Sequence, residues 1–209
     1  MGKSVYSIVL DDDIVAAIDK MAYSLGTNRS GLINRILAEK VNYTTPEQRI
    51  QHIVDLVLEN ISDNMTFQPL AGTGLALKSA VKYKYNPTVK YAVSISPKEH
   101  ILGELKVSLR TQNTALLTEL DGFLKKWVGW EKNYLPDKLP AAVHYTIEMG
   151  RFVRQLALPD TIKNDDMAAQ AIWDYINVFD NVLKQYFHNG GDIDEKPYLA
   201  LIGKCKYLI

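Results

Sequence analysis

The chain has 209 residues, 47% of them hydrophobic, and its 24 Lys and Arg balance its 24 Asp and Glu. That length and apolar content suffice for one or two domains with a core, and they exclude a low-complexity or intrinsically disordered chain. Zero net charge also removes the overall basic excess usual in nucleic-acid-binding proteins, so the local distribution of charge becomes the informative quantity.

The opening residues, MGKSVYSIVLDDD, lack the apolar run of a secretory signal. No uncharged stretch approaches the roughly 20 apolar residues of a membrane span. A single cysteine, Cys205, leaves no intramolecular disulfide. The expectation is a cytoplasmic, nucleoid-associated protein with no membrane partner. By segment, residues 1–41 are neutral and residues 75–113 hold seven basic side chains against two acidic ones. The flanking segments, 42–74 and 114–209, are net acidic.

Tyr6, Ile8 and Leu10 alternate with Val5, Ser7 and Val9, a period of two that predicts a short strand. Asp11, Asp12 and Asp13 suit the positive end of a following helix. Ile14, Ile18, Met21, Ala22 and Leu25 recur at helical spacing, and Gly26 is a natural stop. Asn28 can cap a second helix with the stripe Leu32, Ile33, Ile36, Leu37 and Val41. Strand, helix, turn and helix in about 40 residues cannot bury a core alone. The single strand leaves both edges open. Dimerisation is the physical remedy, with two strands pairing antiparallel over four helices.

These residues resemble the ribbon-helix-helix DNA-binding proteins of the MetJ/Arc/CopG type. The resemblance rests on Leu10–Ile14, on the helix ending Met21-Ala22-Tyr23-Ser24-Leu25-Gly26, and on Thr27-Asn28-Arg29-Ser30-Gly31-Leu32-Ile33. It covers residues 3–41, a fifth of the chain. It implies a homodimer whose paired strands enter the major groove as a β-ribbon. On that pattern Lys3, Val5, Ser7 and Val9 face the bases, while Tyr6, Ile8, Leu10, Ile33 and Leu37 form the dimer core. Asn28, Arg29 and Ser30, at the start of the second helix, hold a phosphate. The chain departs from the pattern at Val5 and Val9, which can touch a thymine methyl but carry no donor or acceptor for a base edge.

Thr45-Pro46 with Gln48 predicts a capped helix continuing through Ile50, Ile53, Val54, Val57, Leu58 and Ile61. Residues 75–85, 88–95 and 102–109 alternate as a three-stranded meander, turning at Asn86-Pro87 and at residues 96–100. One face of this sheet would gather Lys78, Lys82, Lys84, Lys106 and Arg110, with Glu104 diluting them and Lys90 joining if the register allows. Near tyrosines, such a face suits phosphate contact, base stacking or a small anionic effector. A solvated lysine face without any ligand has the same pattern.

Helices are expected around Leu116–Trp127, Val143–Leu156 and Met167–Tyr186, with Tyr198–Ile202 as a last strand. His52, His100, His144 and His188 are too scattered for a zinc site, and Gly72-Thr73-Gly74 lacks the rest of a phosphate loop. No enzyme, metal or cofactor is expected. The fold class is therefore α+β: a ribbon-helix-helix unit over residues 1–43, then a mixed domain over 44–209 with a small antiparallel sheet and several helices. The function expected is a dimeric repressor that binds double-stranded DNA. Three alternatives remain: an accessory DNA-binding protein of plasmid transfer or partition that recruits a protein partner, an antitoxin, or an interaction module that binds no DNA.

Overall fold

Helix α1 (Asp12–Ser24) starts within a run of three aspartates, with Asp12 and Asp13 in its first turn. Asp11 sits at the cap position but makes no side-chain cap bond. The helix stops at Leu25, and Gly26 follows at φ 63°, a left-handed conformation that glycine adopts without a steric penalty. Helix α2 (Arg29–Lys40) begins at Asn28, whose side chain accepts from the Gly31 N–H at 2.8 Å. Helix α3 (Pro46–Glu59) has the full reciprocal capping box. The Gln48 N–H donates to Thr45 Oγ1 at 3.1 Å, and the Thr45 N–H donates to Gln48 Oε1 at 2.8 Å.

The computed structural model describes residues 5–62, 64–70, 74–83, 86–140 and 142–209. The chain divides into two units, Met1–Gln48 and Arg49–Ile209. The boundary falls inside α3, a few residues beyond the one expected between residues 43 and 44.

The second unit is built on a six-stranded antiparallel sheet with the order β1-β2-β3-β4-β6-β5. Its strands are β1 (Met65–Pro69), β2 (Gly74–Ala80), β3 (Thr88–Lys98), β4 (Ile101–Leu109), β5 (Tyr145–Glu148) and β6 (Arg151–Ala157). Helices α4 (Thr114–Tyr134), α5 (Asp165–His188) and α6 (Lys196–Ile202) complete it. One sheet face presents Leu75, Leu77, Val89, Tyr91, Val93, Leu105, Val107 and Phe152, all buried. Against it pack Phe123 and Trp127 of α4 and Phe179 and Tyr186 of α5, in edge-on and tilted aromatic contacts. The α+β class and the β2–β3–β4 meander are as expected.

Four expectations are corrected. Residues 143–156 form the β5–β6 hairpin rather than a helix. The inward positions of β6 are Phe152, Arg154 and Leu156, so a buried arginine interrupts the apolar alternation that marks a strand. The tail 198–202 lies in α6, not in a strand, with Pro197 in its first turn where the missing N–H costs nothing. Strand β2 ends at Ala80 instead of reaching Tyr85, because the Val81 N–H turns to the Pro87 carbonyl and the Tyr83 N–H to the Val81 carbonyl. Finally, residues 5–10 lie in no strand; the chain is not helical until Asp12. A strand whose partner is a second copy of itself has no ladder to join within one chain.

Candidate nucleic-acid interface

In the first unit only Ala22, Leu32 and Ala38 of the two helices are buried. Of the expected dimer core, Tyr6 is 84% exposed, Ile8 60% and Leu37 55%, Leu10 is exposed, and Ile33 is half-buried. Ile14, Met21, Leu25, Ile36 and Val41 are exposed as well. A monomeric protein seldom leaves so many large apolar side chains together in water. The expected base-facing residues Val5, Ser7 and Val9 are fully open to solvent too. Lys3 lies outside the described residues.

At the α2 N-terminus the three phosphate candidates differ. Asn28 spends its side-chain oxygen on the Gly31 N–H, while the main-chain N–H groups of Arg29 and Ser30 have no acceptor among the described residues. Arg29 is already engaged. Its Nε donates to Asp19 Oδ1 at 2.7 Å, and its Nη2 donates to Asp19 Oδ2, a two-pronged ion pair joining α1 to α2. The hydrogen bond from Arg29 holds the Asp19 carboxyl below the ordinary carboxylate range. Both side chains are about half exposed, so water screens the pair and an incoming phosphate can compete for the guanidinium.

The second candidate surface is the sheet face away from α4 and α5. The register aligns Thr66, Lys78, Lys90, Ser108, Arg151 and Glu148 in one row across all six strands. Lys106 lies in the next row, opposite Ala92 and Val153. Thus Lys78 and Lys106 share a face as expected, and the register admits Lys90. Lys82 and Arg110 follow the ends of β2 and β4 and are exposed. Lys84 lies outside the described residues. Arg151 escaped the sequence reading because its segment read as helix. Glu104 faces the same side but pairs with Ser94 and Gln155, one row beyond Lys106 and toward the opposite end. There a shallow groove is lined by Lys98, Glu104, His144 and Gln155.

Tyr83 and Tyr91 are not on this face, and Tyr85 lies outside the described residues. Tyr91 is buried under α5 and donates to Asp180 Oδ1 at 2.9 Å. Tyr83 packs edge-on against Phe187 and donates to Glu119 at 3.2 Å. Base stacking on these two rings, one of the options in the sequence, is therefore closed.

Between α4 and β6 the second unit buries an ion pair. Arg154 Nε donates to Glu131 Oε2 at 2.9 Å, and neither side chain is exposed. Arg154 Nη2 also donates to the main-chain oxygen of Ile209 at 2.5 Å, and its guanidinium lies 4.2 Å from the Tyr175 ring centre. Burial opposes the arginine's charge, but the facing carboxylate outweighs it and raises the Arg154 pKa. The pair ties the sheet to a helix and to the chain's last residue. It is closed to solvent and offers no surface to a macromolecule. Cys205 is half-buried, and burial pushes its thiol up to about 11, which makes it a poor nucleophile near neutrality.

No helix among the described residues is long and apolar enough to cross a membrane. Comparison of the chain with family models, with curated proteins and with solved structures returned no match.

Proposed function

We propose that the protein is a homodimeric, double-stranded-DNA-binding regulator of transcription whose first unit works as a ribbon-helix-helix. The observation that carries this reading is the unpacked apolar surface of that unit. Tyr6, Ile8, Leu10 and Leu37 stand in water, with Ile33 half-buried, along a strand-patterned segment and a helix, in the order this fold requires. A second copy covers all of them at once: two 5–10 segments pair antiparallel, and their inward side chains close over the α2 helices. The outward side chains, Val5, Ser7 and Val9, then stand on a ribbon narrow enough for the major groove. The open N–H groups at Arg29 and Ser30 supply a phosphate anchor at the positive end of α2.

Binding to a random-sequence duplex, titrated against salt for the native chain and for Arg29→Ala, tests the reading. The native chain binds at low salt, and Arg29→Ala binds more weakly with a salt slope shallower by about 1. No binding by the native chain at low salt sinks the proposal.

A second reading has its own support. Two of the three outward strand positions are valine, and Arg29 is held by Asp19. A unit with those features can serve as a dimerisation module alone. In that case the dimer persists and duplex binding is absent.

A further inference from the structure

We infer that the open face of the sheet in the second unit is a separate binding surface for the phosphate backbone of duplex DNA, centred on Lys78, Lys90 and Lys106. The inference extends the DNA-binding reading to residues outside the ribbon-helix-helix unit, and it rests on that reading for its choice of ligand.

The starting point is an arrangement that the fold alone would not favour. Lys78 and Lys90 are direct cross-strand partners. Like charges opposite one another on a sheet face repel. Lys106 sits diagonally beside Lys90, since Lys90 pairs with Ser108 two residues on. None of the three makes an ion pair with a described residue, although Glu104 and Glu148 belong to the same face. Glu148 is instead engaged with Arg151 at 3.4 Å. Because the strands are antiparallel, the ends of β2 and β4 and the starts of β3 and β6 meet at one end of the sheet. Lys82 and Arg110 extend from those ends, so most of the basic residues of this face gather there, with Glu148 among them, while Glu104 and Lys98 lie toward the other end.

The shape of the patch selects the partner. It crosses four neighbouring strands from Lys78 to Arg151, about 14 Å at the usual strand spacing, with no enclosure around it. A small anion would be held at one point of such a row; a chain of phosphates meets it at several. The uncharged neighbours are short, Ala92 and Ser108 among them, so a backbone can approach closely, and Ser108 adds a hydroxyl donor between Lys90 and Arg151. Among the described residues the patch has no aromatic anchor of the kind that protein interfaces and single-stranded nucleic acids use, because Tyr83 and Tyr91 face the helices. Hydroxyls and half-buried lysines without aromatics suit a sequence-independent duplex contact.

The full chain is the material for the test, and a random-sequence duplex is the probe, followed by fluorescence anisotropy between about 50 and 200 mM salt. Four proteins are compared: native, Lys78→Gln with Lys90→Gln, Lys163→Gln with Lys204→Gln as a control of equal charge on exposed sites elsewhere, and Arg29→Ala. The sheet variant relieves a repulsion, so its thermal midpoint stays level or rises, which excludes misfolding as the cause of any loss. The expected result is a salt slope lower by about 2 and weaker binding in the sheet variant, with the control pair unchanged. Native-like affinity and slope in the sheet variant, while the native chain binds, overturn the inference and leave the ribbon reading standing. Loss in the sheet variant with Arg29→Ala unaffected keeps the inference and counts against the phosphate anchor on α2. Absence of binding by the native chain overturns both.

Discussion

Arg154 joins β6 to α4, to α5 and to Ile209 through one guanidinium. Within Arg151-Phe152-Val153-Arg154-Gln155-Leu156 an arginine reads as solvated, yet Arg154 is fully buried against Glu131, Tyr175 and the main chain of Ile209. Replacing one member of a buried pair strands the other charge in the interior. Arg154→Met is expected to destabilise the second unit by about 3–5 kcal/mol, and Arg154→Met with Glu131→Leu to recover most of that loss. Urea unfolding followed by tryptophan fluorescence reads this directly, because Trp127, Trp130 and Trp173 all lie in that unit. A single-variant loss below about 1 kcal/mol would show that the pair is not holding α4 to β6. Local chemistry was plainer where one residue acts on its immediate neighbours. The Asn28 cap and the Thr45–Gln48 box stand as their sequence motifs predict.

At the scale of elements, legibility followed how strongly a segment's own pattern expresses its environment. Helices α4 and α5 bury one continuous face, and their apolar spacing revealed both. Strands β3 and β4 alternate cleanly because one face is apolar and the other is water-facing. Strand β1 is short, at the sheet edge and ended by Pro69, so its alternation is too brief to register. Strand β6 was hidden by Arg154, and its partner β5 went unread with it. The first unit is the opposite case. Its pattern was legible, but on the proposed reading its packing cannot appear within one chain, because the surface that Leu37 and Ile8 would cover is then that of a second copy. Leu37→Glu puts a charge into that expected contact. Light scattering after gel filtration should return twice the chain mass for the native protein and the single-chain mass for Leu37→Glu at micromolar concentration. A monomeric native protein at that concentration removes the reason for the ribbon.

Across the whole molecule, zero net charge conceals a division of labour. The N-terminal residues 1–41 are neutral and offer open N–H groups and exposed apolar side chains, which the proposed reading assigns to a dimer surface. The sheet concentrates lysines at one end, and the acidic residues of the helices bring the total back to zero. On the proposed reading such a protein meets DNA locally without the long-range attraction of a basic one, so its affinity should fall with salt by a modest slope set by the few phosphates it contacts. Everything proposed for the first unit depends on residues 5–10 becoming half of a two-chain ribbon. Hydrogen exchange on the native full-length protein, residue by residue at high and low protein concentration, measures that most directly. The account predicts that amides within residues 5–10 are protected when the dimer is populated and lose protection together as it dissociates. Exchange of these amides at the rate of an unstructured peptide, at every concentration, would contradict it.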